Sequence, residues 1–126
     1  PRAKADDPKH GTGRWVRRMR RYRVSERAVA VLERILTRCR DEQIECLLIE
    51  SPLSSSLREI LDGKIDDAFH AALAGVQAKY DVSFQDFSAR LGDDGFHDSS
   101  HGNRAGGAVF SSIVADEVIE PRWRAR

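Results

Sequence analysis

From residue 25 onward, hydrophobic positions return with a helical period. Ser25 offers an N-cap and Glu26 suits a first turn. Ala28, Val31, Leu32, Ile35, Leu36 and Cys39 then recur at three- and four-residue spacing, which predicts a helix with one apolar stripe. Ahead of it, RWVRRMRRYR at 14–23 places Trp15, Met19 and Tyr22 at i, i+4 and i+7, one face of a further helix. IECLLIESP at 44–52 is a short apolar run stopped by Pro52. Its length and its place between helical segments predict a buried strand. SSSLREIL supplies one or two helical turns. From Lys64 to Tyr80 the spacing of Ile65, Ala68, Phe69, Ala72, Leu73, Val76 and Tyr80 is again helical. DVSFQDF at 81–87 reads as a second strand and residues 90–103 as a polar loop. Residues 104–119 form a last helix with Phe110, Ile113, Val114 and Val118 on its buried side.

Strands alternating with helices of this length imply parallel pairing through crossover connections. Two strands leave both sheet edges open, so the pattern is that of the C-terminal portion of a doubly wound α/β fold. Residues 1–24 form a basic lead-in with an arginine-rich helix, 25–120 the α/β domain and 121–126 a tail. In such folds chemistry sits beyond the carboxyl ends of the strands. Here those ends are ESPLSSS and the loop leading into FHDSSHGN, so both are expected on one rim.

The length of 126 residues suits one domain with one core. With 40% hydrophobic and 33% charged residues, the composition is that of a soluble globular protein. No apolar run reaches the roughly 18 residues of a membrane span, and residues 1–14 lack the apolar stretch of a signal peptide. Cys39 and Cys46 lack zinc-ligand spacing and read as buried small apolar residues. The net charge of +1 hides an asymmetry. Residues 1–40 carry 13 Lys+Arg against 4 Asp+Glu, a balance of +9, and the remainder carries −8.

Asp98-Ser-Ser-His101 brings a carboxylate and an imidazole three residues apart in a turn ahead of a helix. A carboxylate that accepts from one ring nitrogen fixes the tautomer and leaves the other nitrogen as a general base. That is the acid–base pair of a catalytic triad, needing a serine within about 3 Å of the free nitrogen. The competing reading is an Asp that caps a helix beside a solvated His. A metal site from His97, Asp98 and His101 is disfavoured, because the i, i+4 histidines fall in a glycine-flanked loop. Ser99 and Ser100 are too close in sequence to His101 to orient as its nucleophile. Ser51, Ser54, Ser55 and Ser56 either line a cleft or cap a short helix. His10 and His70 carry no assigned role. The arginine stretch fits a solvated helix face with Trp15 and Tyr22 packed inward. Anionic lipid or polysaccharide contact is the second reading, and no nucleic-acid motif accompanies it.

The stretch FHDSSHGNRAGGAVFSSIVADEVI resembles the last conserved block of the SGNH (GDSL) hydrolase superfamily. It is similar in particular to the branch of bacterial cell-surface and exopolysaccharide O-acetyltransferases and related envelope proteins. Asp98, His101, Asn103, Gly106 and the Phe110-Ser111 pair carry the resemblance. LLIESPL and VSFQDFSARL are similar to the preceding strand and loop and to the final strand, so roughly residues 25–119 are covered. The resemblance implies a flavodoxin-like three-layer fold and ester chemistry without metal or organic cofactor. The substrate is an acyl ester or acylated carbohydrate and the setting a bacterial cell envelope. Asp98 and His101 are the implied catalytic residues. The chain departs from the family at Gly102, where a larger apolar residue is usual, which is expected to loosen the histidine. It has no Gly-Asp-Ser nucleophile block and no Gly-x-Asn-Asp block. The nucleophile is therefore expected in upstream sequence, and loss of an oxyanion donor costs about 10²–10³ in rate. The second reading is a non-enzymatic α/β module whose helix bearing Arg17, Arg18, Arg20 and Arg21 meets an anionic membrane or polymer.

Overall fold

The structure, a computed structural model, describes residues 16, 17, 19, 21–61 and 63–125. Trp15, Arg18 and Arg20 of the arginine stretch lie outside the described residues, as does most of the lead-in. Val16, Arg17 and Met19 are helical, and the Tyr22 N–H closes a turn on the Met19 carbonyl at 2.9 Å.

Helix α1 spans Glu26–Asp41. Ser25 is extended (φ −80°, ψ 109°) and its Oγ accepts from the Ala28 N–H at 3.2 Å, satisfying one of the orphan donors of the first turn. Arg38 and Arg40 occupy the last turn, where cations complement the helix dipole. The apolar stripe is split. Leu36 is buried and Val29, Leu32 and Cys39 are half-buried, but Val31 and Ile35 are exposed. A single packed helical neighbour covers about one third of a helix surface, and the line through Val29, Leu32 and Leu36 takes it.

Gln43, at φ 57°, turns the chain out of α1. Strand β1 is Leu47–Glu50, shorter than the apolar run predicts, and helix α2 follows at Ser55–Leu61. Helix α3, Lys64–Tyr80, ends on Asp81 in the left-handed conformation and leads into strand β2, Ser83–Asp86. The strands pair in parallel, with Leu47 opposite Ser83 and Glu50 opposite Asp86. Alternation then assigns the faces. Leu36, Val76 and Val82 form the buried cluster with Val29, Leu32, Cys46, Leu48 and Tyr80 around it, so α1 and α3 share one face. On the other face Phe87 is buried edge-to-face against Phe110, with ring centroids 5.7 Å apart.

Phe110 belongs to helix α4, Arg104–Val114. The sequence predicts one helix to residue 119 and a tail from 121. Instead a π-helical turn at Ala115–Ile119 leads into helix α5, Glu120–Arg124. Pro121 explains the irregularity. It has no N–H to give the carbonyl four residues back, and its ring crowds that carbonyl. A wider turn just before it lets the helix continue. Arg122 then pairs with Glu45 at 3.2 Å, tying α5 to the start of β1. Cys39 and Cys46, expected buried, are half-buried free thiols, and Cys46 lies one residue before β1 rather than within a strand. No helix among the described residues is long and apolar enough to cross a membrane.

Candidate active site at the ends of the strands

Beyond β1 and β2 the two chain segments stay bonded to each other. Phe87 N–H donates to Glu50 O at 3.0 Å and Leu53 N–H to Ser88 O at 2.9 Å. One guanidinium nitrogen of Arg58 donates to both Leu53 O and Ser88 O, at 2.7 and 3.1 Å. Ser54 is completely buried. Its Oγ accepts from Leu57 N–H at 3.3 Å and donates to the Ser99 carbonyl at 2.6 Å. One hydroxyl therefore caps α2 and holds the loop that carries Asp98 and His101. Ser55 adds a second tie, giving its N–H and Oγ–H to the Asp93 carboxylate at 2.8 and 2.6 Å. These donors hold Asp93 below the usual carboxylate range, the Ser55 hydroxyl most strongly. The serines after Pro52 are thus capping and tethering groups, and the two loops predicted to share a rim are joined there.

The segment 95–103 is a closed loop. Phe96 and Gly102 form an antiparallel bridge, His97 N–H donates to His101 O at 2.7 Å, and Asn103 N–H donates to Gly95 O at 2.9 Å. Asn103 caps α4. Its Oδ1 accepts from Gly106 N–H at 2.9 Å while Nδ2 donates to Asp94 O and Phe96 O at 2.6 and 3.3 Å. Gly106 lies so close to the loop that a Cβ there would sit 2.1 Å from the Gly95 carbonyl oxygen. Asn103 and Gly106 thus press the N-terminus of α4 onto the loop. Backbone bonds close the loop on both sides of His101, and none of them uses a side chain at position 102.

Within that loop Asp98 Oδ1 accepts the backbone N–H groups of Ser100 and His101, each at 2.8 Å. Its Oδ2 lies 2.8 Å from His101 Nδ1. The Ser100 N–H, then the His101 ring and then the His101 N–H hold Asp98 well below the usual carboxylate range. An ionised carboxylate only accepts, so Nδ1 carries the hydrogen and neutral His101 keeps its lone pair on Nε2. That nitrogen has no hydrogen-bond partner among the described residues, and the side chain is 76% exposed. An imidazole held in this way can accept a proton at Nε2, which faces solvent. No described serine is hydrogen-bonded to Nε2: Ser54 and Ser99 are buried, and the Ser100 Oγ lies on the Nδ1 side at 3.3 Å.

A cavity of about 330 Å³ opens beside the strand ends, lined in part by Glu50, Arg58, Asp66, His70 and Asp86. Burial, and then the charge of Asp86, pushes the Glu50 carboxyl up. Burial acts most strongly on Asp86 as well, but the Ser88 donors outweigh it and hold that carboxyl low. His70, read from sequence as uninformative, makes a T-shaped ring contact with Phe84 and lies 3.4 Å from Asp66. The available signal was the period-two placement of Glu50 and Asp86 on the strand face that carries Leu48 and Phe84. Among the described residues no three His, Cys, Asp or Glu side chains are placed to hold a metal ion. The chain matches no known family model, no curated protein and no solved structure.

Proposed function

We propose that this chain carries the acid–base half of an SGNH-type ester hydrolase or O-acyltransferase. The observation that carries the reading is the Asp98 carboxylate 2.8 Å from His101 Nδ1, with Nε2 left free at the strand-end rim. On this reading the described helices and strands belong to a flavodoxin-like parallel sheet, and the nucleophilic serine comes from sequence outside these 126 residues. His101 Nε2 takes the serine proton as the oxygen attacks an acyl carbonyl. It returns that proton to the leaving alkoxide as the tetrahedral intermediate collapses. Water, or a sugar hydroxyl in the transferase case, then attacks the acyl-enzyme with His101 again as base. Asp98 remains ionised throughout and stabilises the imidazolium.

The test uses a serine-directed fluorophosphonate and an activated acetyl ester. The 126-residue chain alone takes up no fluorophosphonate and turns the ester over no faster than free imidazole. The longer polypeptide of the reading frame is labelled stoichiometrically, and H101A within it loses most of that labelling. Stoichiometric labelling of a serine within the 126 residues, or full labelling of the longer H101A variant, overturns the reading.

A further inference from the structure

We propose that Cys39 and Cys46 are an oxidisable dithiol that closes to an intramolecular disulfide, stapling the end of α1 to the start of β1. Cys39 lies in the last turn of α1 and Cys46 immediately precedes β1, with six residues between them. The left-handed Gln43 and a 2.7 Å bond from Ile44 N–H to Cys39 O fold that connection back on itself, so its two ends converge. Both thiols are half-buried and both line a cavity of about 260 Å³ with Leu36, Arg40, Tyr80 and Asp81. A small reagent can therefore enter. Cys39 is the largest influence on the Cys46 thiol, which it holds above the usual range with burial second. That influence requires the two side chains to be neighbours.

The oxidant is a small-molecule disulfide. One cysteine thiolate attacks a sulfur of the reagent, forming a mixed disulfide and releasing one reagent thiolate. The second cysteine, as its thiolate, attacks the protein sulfur of that mixed disulfide and releases the other. The protein pair loses two electrons and two protons, and the reagent is reduced to two thiols. The staple joins the N-terminal side of β1, at the opposite strand end from Asp98 and His101, so it acts on the fold and is independent of the acyl-chemistry reading.

Oxidised glutathione added to the reduced native chain tests this. The expected product is a monomer lighter by two hydrogens, with no thiol left for maleimide in denaturant. Tryptic cleavage after Arg38, Arg40 and Arg58 leaves the Cys39–Arg40 and Asp41–Arg58 peptides joined until a reductant separates them. The oxidised chain melts at a higher temperature than the reduced one, and C39S and C46S, treated alike, show no such rise and carry one glutathione each. Two free thiols after treatment, one glutathione on each cysteine, or disulfide-linked dimers would each overturn the proposal.

Discussion

Asp98 does two jobs with one carboxylate, and an amide can keep only one of them. In D98N the side-chain oxygen still accepts the Ser100 and His101 N–H groups, so the loop is retained. The amide nitrogen then faces His101 Nδ1 as a donor. Neutral His101 is expected to switch from the Nδ1–H to the Nε2–H form, which long-range ¹H–¹⁵N correlation of the ring nitrogens reads directly. An unchanged tautomer would mean that Asp98 only shapes the turn. This pair was legible in the sequence because the chemistry needs an acid and an imidazole within reach, and three residues of a turn provide that. Ser54 was not legible as the residue that holds the loop. Its partner is a backbone carbonyl 45 residues away, and no residue type advertises such an acceptor.

Among the elements, α4 depends on a glycine whose importance is steric. Gly106→Ala would drive a methyl group into the Gly95 carbonyl at 2.1 Å, against backbone atoms, with no flexible side chain to yield. A loss of about 1–3 kcal/mol is expected. Gly107, one residue on, has open space at its Cβ position, so Gly107→Ala gains up to about 1 kcal/mol from helix propensity. Urea unfolding of the two variants checks both signs, and similar midpoints would mean that α4 does not dock on the loop. The helices at Glu26–Asp41, Lys64–Tyr80 and Arg104–Val114 were legible, since periodicity and caps such as Ser25 and Asn103 are local. The course of 115–124 was not, because Pro121 reads as a stop and only the π-helical turn shows how the helix passes it.

For the whole molecule, acid is expected to be destabilising. Asp86, Asp93 and Asp98 are all held below their ordinary range. Each contributes stability that is complete above the unfolded carboxyl value, about 3.9, and is lost as pH falls through its folded value. Glu50 runs the other way. Its folded value is raised, so ionising it costs stability at neutral pH, and that cost fades on acidification. The melting temperature should therefore drop as pH falls below about 4. Glu50→Gln should raise it at pH 7, with the gain shrinking toward pH 3. Thermal unfolding across that range checks both. A wild-type curve that stays level down to pH 2 would show that these aspartates gain nothing on folding.

The sequence by itself determined the order of helices and strands, their parallel pairing, and the turn in which Asp98 meets His101. Those follow from short-range periodicity, crossover length and residues adjacent in the chain. Only the tertiary structure decided which apolar stripe of α1 is covered, how Ser54 and Ser55 lash the two strand-end loops together, and why Gly106 admits no side chain. It also decided that Glu50, Asp86 and His70 share one cavity. Each of these is a contact between residues distant in sequence, and its energy depends on a neighbour that local pattern does not specify.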